Sequence, residues 1–141
     1  MLPSKSNRGV CAAVAILSVL PVFAWTAARV HFVNGGNWSV LFCVGSDFPM
    51  PPELDAGTYR VPGAGYDGQF YRLLAHDPFL VGNYARYADA PQLRFRRLLV
   101  PLAAWLLALG EQRWIDSAYV AVEMLFLGLG TYWCARLLAR R

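Results

Sequence analysis

The sequence predicts a mainly α-helical integral membrane protein, on three observations. Apolar residues make up 57% of its 141 residues while charged residues make up only 16%, well under the roughly 25% of a typical soluble domain. Two stretches are long and apolar enough to cross a bilayer. Basic residues stand at the outer ends of both stretches, the arrangement expected of cytoplasmic flanks. A mean hydropathy of +0.35 agrees, and 14% aromatic residues exclude a disordered chain.

The first span is read at 9–29. Gly9 to Ala28 are 20 consecutive uncharged residues, which as a helix cover about 30 Å, the thickness of the hydrocarbon core. Lys5 and Arg8 precede it in a cytoplasmic N-terminus, 1–8. Trp25 suits the far interface, and Pro21 kinks the helix without forbidding it. A cleaved signal peptide is the competing reading. The long apolar run and the poor cleavage site at Thr26-Ala27-Ala28 favour a retained span.

The second span is read at 117–135, charge-free except for Glu123 and bordered by Trp114, Tyr132 and Trp133. Arg136, Arg140 and Arg141 follow in a basic cytoplasmic tail, 136–141. A carboxyl among lipid chains is costly, so Glu123 implies further membrane helices, in an oligomer or a longer parent protein; snorkelling to the outer interface is the alternative. Between the spans, 98–110 is apolar but too short to cross, and reads as an interfacial or re-entrant helix. Two crossings keep both basic ends inside and place 30–97 outside as an extracytoplasmic loop domain.

Glycine and proline punctuate the first half of that loop, where Trp38 to Val44 reads as a short strand or a helical turn. Gly68 to His76 reads as a helix with Phe70, Leu73 and Leu74 on one face and Gln69, Arg72 and His76 on the other. Asp77-Pro78 stops it. A second helical stretch is expected near Val81 to Ala88.

Several chemistries are excluded or weak. Cys11, Cys43 and Cys134 are an odd set without metal-ligand spacing, and His31 and His76 lie far apart, so neither a disulfide framework nor a metal site is supported. No cofactor is implied. Twelve of the 13 basic residues are arginine, but they form no stripe, and nucleic acid is not an expected partner. Gly63 to Gly68 spells GxGxxG without the flanking βαβ unit that a dinucleotide site needs.

Two features carry candidate function. Asp67 precedes the Gly68–His76 helix, where an aspartate accepts the unpaired N–H bonds of the first turn. With Tyr66, Gln69 and Tyr71 around it in an outer loop near the membrane, it is also a candidate general base. Arg94, Arg96 and Arg97 stand just outside the short apolar helix, against the positive-inside rule. Either they snorkel to lipid phosphates, or their guanidinium forks recognise a bound anion such as a lipid-linked phosphate.

Gly65-Tyr66-Asp67-Gly68-Gln69-Phe70-Tyr71-Arg72 with Ala75-His76-Asp77-Pro78-Phe79 resembles the YDGQFY stretch of bacterial polytopic membrane proteins. Asp89-Ala90-Pro91, Arg94 and the run Arg96 to Leu107 resemble the segment that follows it there. Those proteins are similar to the GT-C class of glycosyltransferases, including relatives of GPI-anchor mannosyltransferases. The resemblance covers about Val10 to Arg136. It implies a sugar donor linked to polyprenyl phosphate, an essential aspartate in the first outer loop, and a role in cell-envelope glycan assembly at the bacterial inner membrane, with the loop periplasmic. Asp67 occupies the matching position and would deprotonate the acceptor, with Tyr66, Gln69, Tyr71, Arg94, Arg96 and Arg97 as substrate-binding candidates; the arginine roles rest on charge and position. Such enzymes have roughly eight to thirteen spans, whereas this chain has two. The expectation is therefore the N-terminal module of such an enzyme. The alternative is a non-catalytic two-span subunit or scaffold whose outer loop binds a partner.

Overall fold

The computed structural model describes residues 5–139, with side chains from residue 8 onward; residues 1–4 and Arg140 and Arg141 of the basic tail lie outside it. The protein is mainly helical. In chain order it contains α1 (Lys5–Ala28), β1 (Val44–Gly45), α2 (Pro52–Asp55), β2 (Arg60–Val61), α3 (Gly68–His76), α4 (Pro91–Arg94), α5 (Leu99–Leu107) and α6 (Ile115–Leu138). These divide into two compact units, one of Met1–Arg29 with Glu123–Arg141, the other of Val30–Val122.

The first unit holds most of the two helices long and apolar enough to cross a membrane. The candidate spans are Arg8–Val33 and Gln112–Leu138, and of an apolar 18-residue stretch in each only 6% and 22% is buried. The core helix of a soluble protein hides its apolar surface. Here Leu17, Leu20, Trp25, Leu125, Leu129 and Trp133 stand exposed. Within this unit α1 and the end of α6 approach closely at Gly128, where an added Cβ would meet Val19 Cγ2 at 3.3 Å. Glu123 is exposed on α6.

The Val30–Val122 unit opens with a π-helical turn, Arg29–Val33 (begun by Arg29 of the other unit), and a 3-10 turn, Trp38–Phe42. Asn37 caps the latter by accepting from Ser39 N–H at 3.1 Å. The Trp38–Val44 segment is thus a helical turn running into a strand. β1 pairs in parallel with β2, Val44 opposite Arg60, and Val44 also bridges Gly65. The chains cross there so tightly that a Cβ on Gly45 or Gly65 would overlap the other's backbone.

The apolar core joins Phe42, Val44, Met50 and Leu54 to Phe70 and Leu73 of α3, Ala104 of α5 and Ala108 just after it, and Ile115, Ala118 and Tyr119 of α6. Helix α3 forms as the periodicity predicts, and both of its faces are buried. Gln69, Arg72 and His76 are buried like the apolar face, because loop and α6 residues cover them with hydrogen bonds. The expected helix near Val81 to Ala88 contracts to a 3-10 turn, Tyr84–Tyr87, since Leu80 and Asn83 adopt left-handed backbone that no α-helix admits. The 98–110 segment gives the nine-residue α5, closed by Leu109 and Gly110, both at positive φ.

Candidate functional site

Asp67 opens α3, yet its side chain makes no capping bond. Its backbone is already helical, at φ −54° and ψ −27°. The first N–H groups are taken by carbonyls instead, Gln69 N–H by Tyr66 and Phe70 N–H by Asp67 itself. The capping expectation is therefore corrected, and the carboxylate is left for another partner.

That partner is Arg94. Its Nη1 and Nη2 donate to the two Asp67 oxygens at 2.7 and 3.0 Å. Its Nε and Nη2 donate to Asp89 at 3.0 and 2.9 Å. The Arg94 guanidinium is buried and lies over the Phe70 ring at 4.7 Å, whereas the Asp67 side chain remains 59% exposed. Charge-assisted bonds of this kind favour the ionised forms. Hydrogen bonding from Arg94 holds both carboxyls below the ordinary aspartate range, and the two carboxylates push the Arg94 pKa upward.

Asp67 and Asp89 face one cleft of about 440 Å³, with Tyr66, Phe48, Gln69 and the Ala64-Gly65 backbone around it. Tyr66 is open to solvent. Gln69 lines the cleft but has its amide engaged, accepting from Gly45 N–H at 3.1 Å and donating to Ala64 C=O at 2.9 Å. Tyr71 accepts from Arg97 Nη1 at 3.0 Å. Arg96 and Arg97 are exposed, so they, rather than Arg94, are the guanidiniums turned outward. Arg94 itself is paired with two carboxylates.

A second polar cluster was not read from the sequence. Arg72 Nε donates to both Asp116 oxygens at 2.8 and 3.0 Å, and its Nη1 donates to Thr58 at 2.7 Å. His76 Nε2 faces Asp116 at 3.0 Å while its Nδ1 faces Gln112 Oε1 at 2.6 Å. Gln112 Nε2 donates back to the His76 carbonyl at 3.2 Å, which fixes its amide orientation. Both ring nitrogens thus lie within hydrogen-bond distance of a side-chain oxygen. The cluster edges a cleft of about 330 Å³. Its only sequence signal was Arg72 and His76 at helical spacing; Asp116 lies 40 or more residues away.

Among the described residues no three His, Cys, Asp or Glu side chains converge to hold a metal ion. Comparisons with protein-family models, curated proteins and solved structures gave no match.

Proposed function

We propose that the chain is an integral membrane protein in which two apolar helices anchor an extracytoplasmic module, and that it is the N-terminal module of a GT-C-like glycosyltransferase of envelope glycan assembly. Both basic ends then lie in the cytoplasm, and α5 rests at the outer interface with its leucines toward lipid. Glu123, exposed on an apolar helix, calls for further membrane helices.

One observation carries the catalytic reading. Asp67 presents a half-exposed, ionised carboxylate to a cleft, held in place by a buried arginine instead of closing the helix end. Such a carboxylate accepts the proton of an acceptor hydroxyl as the new C–O bond forms and the polyprenyl phosphate departs from the anomeric carbon. Pairing with Arg94 weakens it as a base but keeps it unprotonated and aimed. A late proton transfer tolerates that, because the hydroxyl turns acidic as it bonds. Arg96 and Arg97 supply positive charge for the leaving phosphate. Arg94 acts as a positioning residue.

The scaffold alternative has its own support, since the bonds that join Asp67, Arg94 and Asp89 serve equally to fasten α4 to the start of α3. Membranes of a host that carries the chain together with the further membrane helices it requires, given radiolabelled polyprenyl-phosphate sugars, separate the two. The enzyme reading expects transfer to a membrane acceptor, reduced about 100-fold or more by Asp67→Asn with insertion and melting unchanged. Full transfer by that variant removes Asp67 from the chemistry. No transfer by the parent chain from any donor leaves the scaffold reading.

A further inference from the structure

We infer that the Phe79–Val81 loop and the end of α5 with its closing turn, Leu106–Leu109, form one apolar tip that enters the acyl-chain layer of the bilayer. The inference rests on the two-span membrane reading and adds a second point of contact to it.

Neither segment carries charge. None occurs from Pro78 to Ala85, nor from Leu98 to Gly110. Their apolar side chains are displayed outward, with Val81 88% and Leu109 86% exposed. The two segments are joined, since the Phe79 ring meets Trp105 edge-on at 5.1 Å. Each tip also holds a leucine in left-handed backbone, Leu80 at φ 59° and Leu109 at φ 54°. That conformation suits glycine or asparagine and is disfavoured for leucine. In water, nothing is gained by keeping leucine there. In hydrocarbon, the side chain itself supplies the reason.

Lipid fits the surface better than a protein partner, for a covalent reason. Leu109 lies six residues before Ile115, the first residue of α6, and six residues reach at most about 21 Å. The tip is thus tethered close to a helix long and apolar enough to cross the membrane. Its rim has the chemistry of the headgroup layer. Arg113, four residues past Leu109, stacks on the exposed Trp114 at 5.3 Å.

The test places a bimane fluorophore on single cysteines in the full chain, with Cys11, Cys43 and Cys134 changed to alanine, in phosphatidylethanolamine–phosphatidylglycerol nanodiscs. Probes go on Val81→Cys, Leu109→Cys, Leu129→Cys and Asp55→Cys. The expected result is at least twofold stronger quenching by doxyl-labelled lipid at 81, 109 and 129 than at 55, with the order reversed for iodide. Iodide access at 81 and 109 while 129 stays lipid-quenched overturns the tip and leaves the spans standing. Shielding of 81 and 109 from both quenchers means that protein covers the tip, and also overturns it. Iodide access at 129 overturns the membrane reading and the tip with it. Hydroxyl-radical footprinting of the unsubstituted chain in the same discs checks the result without cysteines: the tip predicts protected Phe79 and Leu109 beside modified Tyr59 and Tyr66, and modification at Phe79 and Leu109 contradicts it.

Discussion

Replacing Arg72 by methionine removes a guanidinium whose side chain is only 5% exposed and leaves Asp116, 16% exposed, with the His76 ring as its remaining side-chain partner. Three bonds go at once, two to Asp116 and one to Thr58. Breaking a buried ion pair from one side costs about 3–5 kcal/mol. Because Asp116 keeps His76 at 3.0 Å and is not wholly dry, about 2–4 kcal/mol is the expected loss. The Val30–Val122 unit is small, and in a domain of that size each kcal/mol lowers the melting temperature by roughly 4–8 °C. Tryptophan fluorescence melts of the full chain in detergent should therefore show a fall of roughly 8–32 °C. Asp55→Asn is the control. Its partner Arg60 is 3.5 Å away and both side chains are partly exposed, so about 1 kcal/mol or less is at stake. The double variant Arg72→Met, Asp116→Leu should recover much of the loss, because an apolar pair no longer buries an unpaired charge. An Arg72→Met melt within the range of the Asp55 control, or a double variant as unstable as the sum of its singles, refutes the reasoning.

Other consequences are open to the same melts or to the transfer assay. Asp67 and Asp89 have pKa values lower in the folded chain than in the unfolded one, so their stabilisation is complete above the carboxylate range and is lost as the pH falls through it, below about pH 4. The melting temperature of the parent chain should drop there, and Asp67→Asn with Asp89→Asn should flatten that drop; an unchanged slope contradicts the pairing. Arg94→Met frees Asp67 to take up a proton, so the acid limb of the transfer profile should move to higher pH, whereas a merely structural Arg94 would lower activity evenly at all pH. Gln69→Leu leaves the Gly45 N–H and the Ala64 carbonyl without their partner and should cost about 2–3 kcal/mol. Gly65→Ala, at φ +69° and against the Gly45 backbone, should cost more than about 2 kcal/mol, and a melt within 2 °C of the parent would contradict the close crossing.

The parts of the fold that read clearly from the sequence are those set by local periodicity. The long uncharged run after Arg8 forms a helix, and Gly68–His76 forms as its apolar spacing and the Asp77-Pro78 stop require. Where a segment depends on its neighbours, the reading falters. Phe70, Leu73 and Leu74 mark one face of α3 for burial, but Gly45, Thr58, Gln112 and Asp116 bury its polar face as well. Val81 to Ala88 has helix-compatible residues, yet Leu80 and Asn83 turn the backbone the other way to bring Phe79 onto Trp105. The site follows the same rule. Asp67 stands out locally by its place before a helix, whereas its bond to Arg94 spans 27 residues and that of Arg72 to Asp116 spans 44. No local pattern encodes which arginine meets which carboxylate.

Sidedness is the claim on which the functional account depends, and Asp55 offers the most direct access to it. Its side chain is half exposed in the same unit as Asp67. A cysteine introduced there, in a chain otherwise free of cysteine, is treated in intact spheroplasts with a membrane-impermeant maleimide. The account predicts full labelling before lysis, equal to that of a known periplasmic control. Labelling that appears only after the membrane is opened would place Asp67 in the cytoplasm and contradict the account.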